Sequence, residues 1–167
     1  MSNPRASLLV LALLLLFAVP DTGVAASPSG DASASCATIA KRLVERTEVW
    51  RSTPKGLRRF VEPVDPICHD FTGDARRDVV FPILSGGTGG AFKFAVFRGS
   101  PDGPKKVTER GYGSKTSLRR EARRLKVLNP VYRKGDGNCC PSGGFNVRTF
   151  RFTRTKIVFV KRERIQP

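Results

Sequence analysis

The chain has 167 residues, with 30 Lys+Arg against 14 Asp+Glu and a formal net charge of +16. That length suits one domain, or one domain plus a tail. Hydrophobic residues make up 40% and aromatics 8%, too many for a wholly disordered chain and too dispersed for a multi-span membrane protein. One His and four Cys exclude a His-rich metal cluster, and the cysteine spacing excludes the C-x-x-C zinc patterns.

The N-terminal segment reads as an export address. Leu8 to Val19 is an unbroken apolar run of 12, preceded by Arg5 and followed by Pro20 and Gly23. A basic start, a short apolar core and small residues beyond it describe a secretory signal peptide. Val24 and Ala26 suit the −3 and −1 positions, which sets the expectation of a signal peptide over 1–26, with cleavage after Ala25 as the alternative. Twelve helical residues rise about 18 Å, short of the roughly 30 Å hydrocarbon core that an uncleaved anchor would cross. A lipid anchor needs a Cys directly after the run, and the nearest is Cys36. The small, polar stretch 27–35 is expected to be a flexible lead-in, and 36–167 a single disulfide-linked domain.

Export changes how the cysteines read. Cys36, Cys68, Cys139 and Cys140 all lie beyond the cleavage point, and an even count in an oxidising compartment suggests disulfides. Three connectivities exist. A Cys139–Cys140 bond needs a strained eight-membered ring, so the expectation is that Cys36 and Cys68 are each tied to the Cys139-Cys140 turn. Closing loops of about 70 to 100 residues would contribute roughly 4 kcal/mol each in the chain-entropy model.

Cys36 to Trp50 has helical spacing, with Ile39, Leu43 and Val44 on one face and Lys41, Arg42, Glu45 and Arg46 on the other. The period then changes to two. Asp78 to Leu84 predicts a strand in which Pro82 marks an edge or a bend, and Ala91 to Arg98 a second one rich in Phe and Val. Lys105 to Tyr112 predicts a weaker strand and Leu125 to Tyr132 another. Phe145 to Thr153 and Lys156 to Arg162 alternate across a short gap and read as a hairpin. Ser117 to Arg124 fits a strand or a helix face. The expected fold is α+β, mainly antiparallel β, with one N-terminal helix packed on a five- to six-stranded sheet.

Charge is concentrated late in the chain. After Pro104, 18 basic residues face four acidic ones. The densest part contains Arg119, Arg120, Arg123, Arg124 and Lys126, and a second cluster contains Lys161, Arg162 and Arg164. Such a field attracts polyanions. For an exported protein these are wall polymers, anionic lipid surfaces, and extracellular DNA or polysaccharide. A solvated face that keeps the protein soluble is the plainer reading. The chain shows no helix-turn-helix, zinc-finger or RNA-binding aromatic signature, which disfavours nucleic-acid readout.

The most informative motif is Asp70-Phe71-Thr72-Gly73-Asp74-Ala75-Arg76-Arg77-Asp78. It places oxygen side chains at loop positions 1, 3, 5 and 9. Ca²⁺ takes six to eight oxygens at about 2.3–2.6 Å. Asp70, Thr72 and Asp74 are candidate ligands, with the Arg76 carbonyl at position 7 and Asp78 closing the shell. The spacing resembles the calcium loops of FG-GAP/VCBS-type repeats, in which the last Asp runs into an apolar strand, as Asp78 runs into Val79-Val80-Phe81. Thr72 replaces the usual Asp or Asn, and Ala75 replaces a Gly where a positive φ is often required. The resemblance implies Ca²⁺ binding in the extracellular millimolar class. The competing reading is an Asx-turn loop whose carboxylates bind backbone N–H groups or neighbouring Arg.

A wider resemblance covers roughly residues 65–165. The acidic loop, a strand, a Gly-rich turn, a Phe-rich strand, Asn129-Pro130-Val131-Tyr132, Gly135-Asp136, Cys139-Cys140-Pro141-Ser142-Gly143 and a final hairpin follow in order. This resembles actinobacterial secreted proteins of the LppP/LprE lipoprotein type. It implies an exported, cell-envelope-associated protein with no established catalytic activity; the missing lipobox is a departure.

Other motifs point away from catalysis. The glycine-rich stretch at 85–90 opens a strand, whereas a phosphate loop opens a helix through Gly-Lys-Ser/Thr, so a turn is the expected role. His69 lies between Cys68 and Asp70, and adjacent side chains on an extended segment point apart, so the three form no triad. Glu109 and Glu121 sit among Arg and Lys and read as solvated ion pairs. The sequence thus predicts a secreted basic binding or structural module of the cell envelope, non-enzymatic, with a candidate calcium loop. The alternative is a small secreted metal-dependent hydrolase acting on phosphodiesters or glycans through the acidic loop and an Arg. A third reading is a protein-partner module presenting Phe145 or Tyr132.

Overall fold

The structure is a computed structural model that describes residues 34–84 and 86–166. The expected signal peptide and nearly all of the lead-in lie outside the described residues.

Ser35 caps the first helix, α1 (Cys36–Val44), by accepting a bond from the Thr38 N–H. Lys41 and Arg42 lie in its last turn, where positive charge meets the carbonyl end of the dipole. The single helix expected to reach Trp50 is broken at 45–47. Thr47 Oγ1 accepts the Trp50 N–H and caps a second helix, α2 (Glu48–Ser52), so the chain restarts. A 3₁₀ turn (Lys55–Phe60) follows.

Among the described residues, nine antiparallel strands form two sheets, not one. The first contains β1 (Glu62–Pro63), β2 (Ile67–His69), β3 (Asp78–Leu84), β4 (Lys93–Arg98) and β5 (Lys105–Gly111). The second is the meander β6 (Ser117–Glu121), β7 (Arg124–Pro130), β8 (Phe145–Phe152) and β9 (Ile157–Ile165). The mainly antiparallel α+β class therefore stands, while the single sheet of five to six strands is replaced by sheets of five and four.

The reason is visible in β3 and β4. Val79, Phe81 and Ile83 of β3 join Ala95 and Phe97 of β4 in a core with Ala40, Leu43, Val44 and Val49 of the helices. The alternate residues Val80, Phe94 and Val96 join Leu125, Val127, Phe150 and Ile157 of the second sheet. The first sheet is thus sandwiched between helices and the second sheet. This explains why Asp78 to Leu84 is a nearly continuous apolar run.

Pro82 is not on an edge strand, but it does mark a break. β1 and β2 both pair with β3, opposite Ile83–Leu84 and opposite Asp78–Val80, and leave 64–66 between them. The Pro82 carbonyl accepts the Val64 N–H at 3.0 Å. A strand residue's N–H and C=O point the same way, so the N–H that Pro82 lacks would face this gap, where Asp65 has φ +40°. No ladder bond is lost.

Candidate functional site

The acidic loop joins β2 to β3, and its oxygens are occupied by donors from the protein itself. Asp70 Oδ1 accepts the Gly73 and Asp74 N–H groups at 2.6 and 3.1 Å, and Oδ2 accepts the Ala75 N–H at 2.9 Å. The Thr72 hydroxyl donates to Asp70 Oδ1 at 3.3 Å. Partial burial is the largest single influence on Asp70 and raises its pKa, yet these donors together hold it below the ordinary aspartate value.

Asp74 faces the other way. Its Oδ1 accepts the Arg76 N–H at 3.1 Å, and its Oδ2 pairs with Arg98 Nη2 of β4 at 3.0 Å and with Arg76 Nη1 at 3.6 Å. The Arg98 hydrogen bond is the main cause of its lowered pKa. Asp78, at the start of β3, is fully buried. Its Oδ2 accepts the Phe71 and Thr72 N–H groups and its Oδ1 the Gly99 N–H, at 3.0 to 3.2 Å. Burial pushes the Asp78 carboxyl up, against the pull of those three donors.

The five predicted ligand positions, Asp70, Thr72, Asp74, Arg76 and Asp78, thus share one loop, but the aspartate oxygens meet N–H groups. Among the described residues no group of three or more His, Cys, Asp or Glu side chains is arranged to hold a metal ion. Ala75 has φ +62°, so the left-handed backbone expected at this position is present without the glycine.

Cys36 and Cys68 form a disulfide with Cα atoms 5.7 Å apart. This overturns the expected pairing of each with the Cys139-Cys140 turn. The cause is packing: α1 lies against the first sheet, which brings its first residue beside β2, while Cys139 and Cys140 lie in the exposed turn between β7 and β8. Those two bond to each other, so the adjacent pair that the sequence reading disfavours is formed. With Cys68 bridged, no Cys–His dyad with His69 exists. The His69 ring meets Phe71 edge-on at 5.2 Å and its Nδ1 lies 3.2 Å from Arg120 Nη1.

Strand register sorts the basic residues onto two faces. Arg119, Lys126, Thr149 and Lys161 are successive cross-strand partners in one row of the second sheet, and Glu121, Arg124 and Arg151 make the next row. These residues share the face turned away from the first sheet. Glu163 lies on it too, 2.7 Å from Lys161 and 3.8 Å from Lys126, and the Lys161 hydrogen bond holds its carboxyl below the ordinary value. Lys126 also meets Glu121 at 2.8 Å. Five cations therefore share this outer face with two carboxylates. Thr149, at its centre, is fully buried and its hydroxyl has no hydrogen-bond partner among the described residues.

The remaining predicted cations are elsewhere. Arg120, Arg162 and Arg164 have the opposite register, and Arg164 donates to the Gly143 carbonyl at 2.9 Å. Arg123 sits in the β6–β7 turn with its guanidinium against Gly73 of the acidic loop. Arg151 was missed because it stands alone in sequence; the alternation of Phe145 to Thr153, set against that of β7, is the signal that would have placed it. Of the two candidate partner-facing aromatics, Phe145 is exposed on the outer face beside Ile165, whereas the Tyr132 hydroxyl is engaged by the Asn138 carbonyl.

Glu109 pairs with Lys93 and Lys106 at 3.9 and 3.8 Å, as the sequence suggests, but it is not solvated. Its side chain is 1% exposed, and its carboxylate accepts the Glu48 and Val49 N–H groups at 2.6 and 3.0 Å, capping α2 from β5. No helix of the described residues is long and apolar enough to cross a membrane. Comparison with protein-family models, with curated proteins and with solved structures finds no match.

Proposed function

We propose that this is an exported, non-catalytic envelope module that binds an anionic polymer on the outer face of its second sheet. The observation that carries the reading is the cross-strand clustering of Arg119, Arg124, Lys126, Arg151 and Lys161 on one face of the second sheet, where Lys126 is half-buried, the other four are exposed, and Val147 and Thr149 between them are buried. A repeated array of cations suits the repeated charges of a polyanion better than it suits one small ligand. The Cys36–Cys68 disulfide suits an oxidising compartment, and the apolar run at Leu8 to Val19 suits export. The resemblance to the LppP/LprE type points the same way.

The metal-dependent hydrolase is less well supported, because the loop that would build its site turns its carboxylates onto amides and Arg98. Ca²⁺ in the same loop would have to displace those donors. We infer that the loop is a latch closing the β2–β3 connection over β4.

The test is retention of the oxidised mature protein on immobilised dextran sulfate across a salt gradient. Exposed charge attraction is screened within about 8 Å at physiological ionic strength, so elution is expected as salt rises. Retention that is absent, or indifferent to salt, would remove the polymer reading. Binding to anionic vesicles with none to dextran sulfate would move the partner to a lipid surface.

A further inference from the structure

Trp50 is the chain's single tryptophan, and it forms one wall of a cavity of about 250 Å³, open to solvent, on the helical side of the first sheet. Val44 of α1 and Val61 make buried parts of the lining, and Pro63 of β1 adds a half-buried apolar edge. Around these stand Lys41, Arg58, Arg59 and Glu62, three cations against one carboxylate.

The cations are held in different ways. The Arg58 guanidinium lies over the Trp50 ring at 5.9 Å, and its Nε donates to the Thr53 carbonyl at 3.1 Å. Its two terminal nitrogens donate no hydrogen bond among the described residues. Arg59 lies over the Phe60 ring at 4.8 Å, and neither Arg59 nor Lys41 makes an ion pair among the described residues. Glu62 also forms no ion pair there. An arginine fixed over an aromatic ring, with its fork unused, is prepared for a planar oxyanion, because guanidinium donors match a carboxylate two at a time.

We propose that this cavity binds a small aromatic carboxylate. Its ring would lie on the valine floor beside Trp50, and its carboxylate would face the unused nitrogens of Arg58, which keeps its place over the Trp50 ring, with Arg59 and Lys41 at the rim. The size agrees: a closed apolar cavity of about 150 Å³ holds benzene, so the present open volume has room for one ring with an acid group. The charge agrees as well, since the rim has an excess of two positive charges and a neutral ring would leave it unanswered. For a ligand of about nine heavy atoms the affinity is expected to be near millimolar.

The sole tryptophan makes the test site-specific. The Trp50 indole N–H resonance of the oxidised protein is followed while sodium benzoate is added at constant ionic strength, with benzamide as the neutral counterpart. The expected result is a saturable shift with benzoate, binding about tenfold weaker for benzamide, which lacks the charge-assisted contact to Arg58, and binding weaker by about two- to threefold for Arg59→Gln, which removes one rim charge. Arg162→Gln, on the second sheet, should bind benzoate as the wild type does. Arg59 and Lys41 are exposed, so Lys41→Gln is a second variant that keeps the fold and should weaken binding in the same direction. A shift that does not saturate, equal binding of benzamide, or equal binding by both Arg59→Gln and Lys41→Gln would overturn the proposal.

Discussion

Arg98 Nη2 and Asp74 Oδ2, 3.0 Å apart, tie the acidic loop to the end of β4. The guanidinium engages Asp74 Oδ2, the Arg76 N–H engages Oδ1, and amide donors occupy Asp70 and Asp78. Ca²⁺ at about 5 mM, at the upper end of the extracellular class, is therefore expected to leave the thermal midpoint unchanged to within about a degree. Differential scanning calorimetry with Ca²⁺ or chelator reads this directly. A midpoint that rises with Ca²⁺ concentration would show that the ion displaces these donors and would restore the calcium reading.

The same loop predicts how stability depends on pH. Asp70 and Asp74 have carboxyls below the ordinary value of 3.8, so the stability they contribute is present above that value and is lost as pH falls through their folded values. Asp78, raised by burial, acts in the opposite sense: its contribution is fullest at low pH and declines as pH rises past 3.8. Urea unfolding between pH 5 and pH 2 should therefore show a loss of stability that is smaller in Asp70→Asn and Asp74→Asn. An unchanged acid limb in both variants would contradict the latch.

Ala75 offers a substitution with a predicted gain. A left-handed conformation costs a non-glycine residue about 1–2 kcal/mol, and Ala75 has φ +62° with its N–H bonded to Asp70. Ala75→Gly should raise unfolding stability by about 0.5–1 kcal/mol, less than the full relief because glycine also loosens the unfolded chain. Chemical denaturation measures it; a loss of stability would mean that the loop does not hold this backbone.

The two disulfides should behave very differently. Cys36 and Cys68 are 32 positions apart, and closing a loop of that length is worth roughly 3–4 kcal/mol in the chain-entropy model. Cys139 and Cys140 are neighbours, and their bond closes no such loop. Cys36→Ser with Cys68→Ser should lower stability by about that amount, whereas Cys139→Ser with Cys140→Ser should change it by less than about 1 kcal/mol. Denaturant midpoints decide between them, and peptide mapping of the unreduced protein checks the connectivity. A large loss in the second variant would contradict it.

Much of this architecture was legible as pattern. The strands at Asp78 and at Lys93 follow from short apolar runs rich in β-branched and aromatic residues, the final hairpin follows from alternation, and the structure has them. What failed was whatever depended on partners distant in sequence. The two-sheet arrangement rests on which alternate residues of β3 and β4 meet helices and which meet β7 and β8, and periodicity does not name a partner. The β6–β7 hairpin was ambiguous because its turn, Ala122-Arg123, has no Gly or Asn, although Ala122 adopts φ +48°. β1 and β2 are two and three residues long and leave no period at all. The basic run at Arg119–Lys126 does not show in sequence which face each residue takes; strand alternation divides it, sending Arg119 outward and Arg120 toward His69. Glu109 looked solvated for the same reason, since nothing local shows that α2 docks on it.

The binding account stands on the outer face of the second sheet, and charge reversal there tests it. Lys126→Glu with Lys161→Glu places two carboxylates in the central row beside Glu121 and Glu163 without touching either core. Lys105→Glu with Lys134→Glu makes the same change in net charge away from that face, at exposed positions. On dextran sulfate the first double variant should elute at markedly lower salt than the wild type, with the control between them and near the wild type. Equal retention of the two double variants would show that net charge alone drives binding, and that no surface of this fold is built for it.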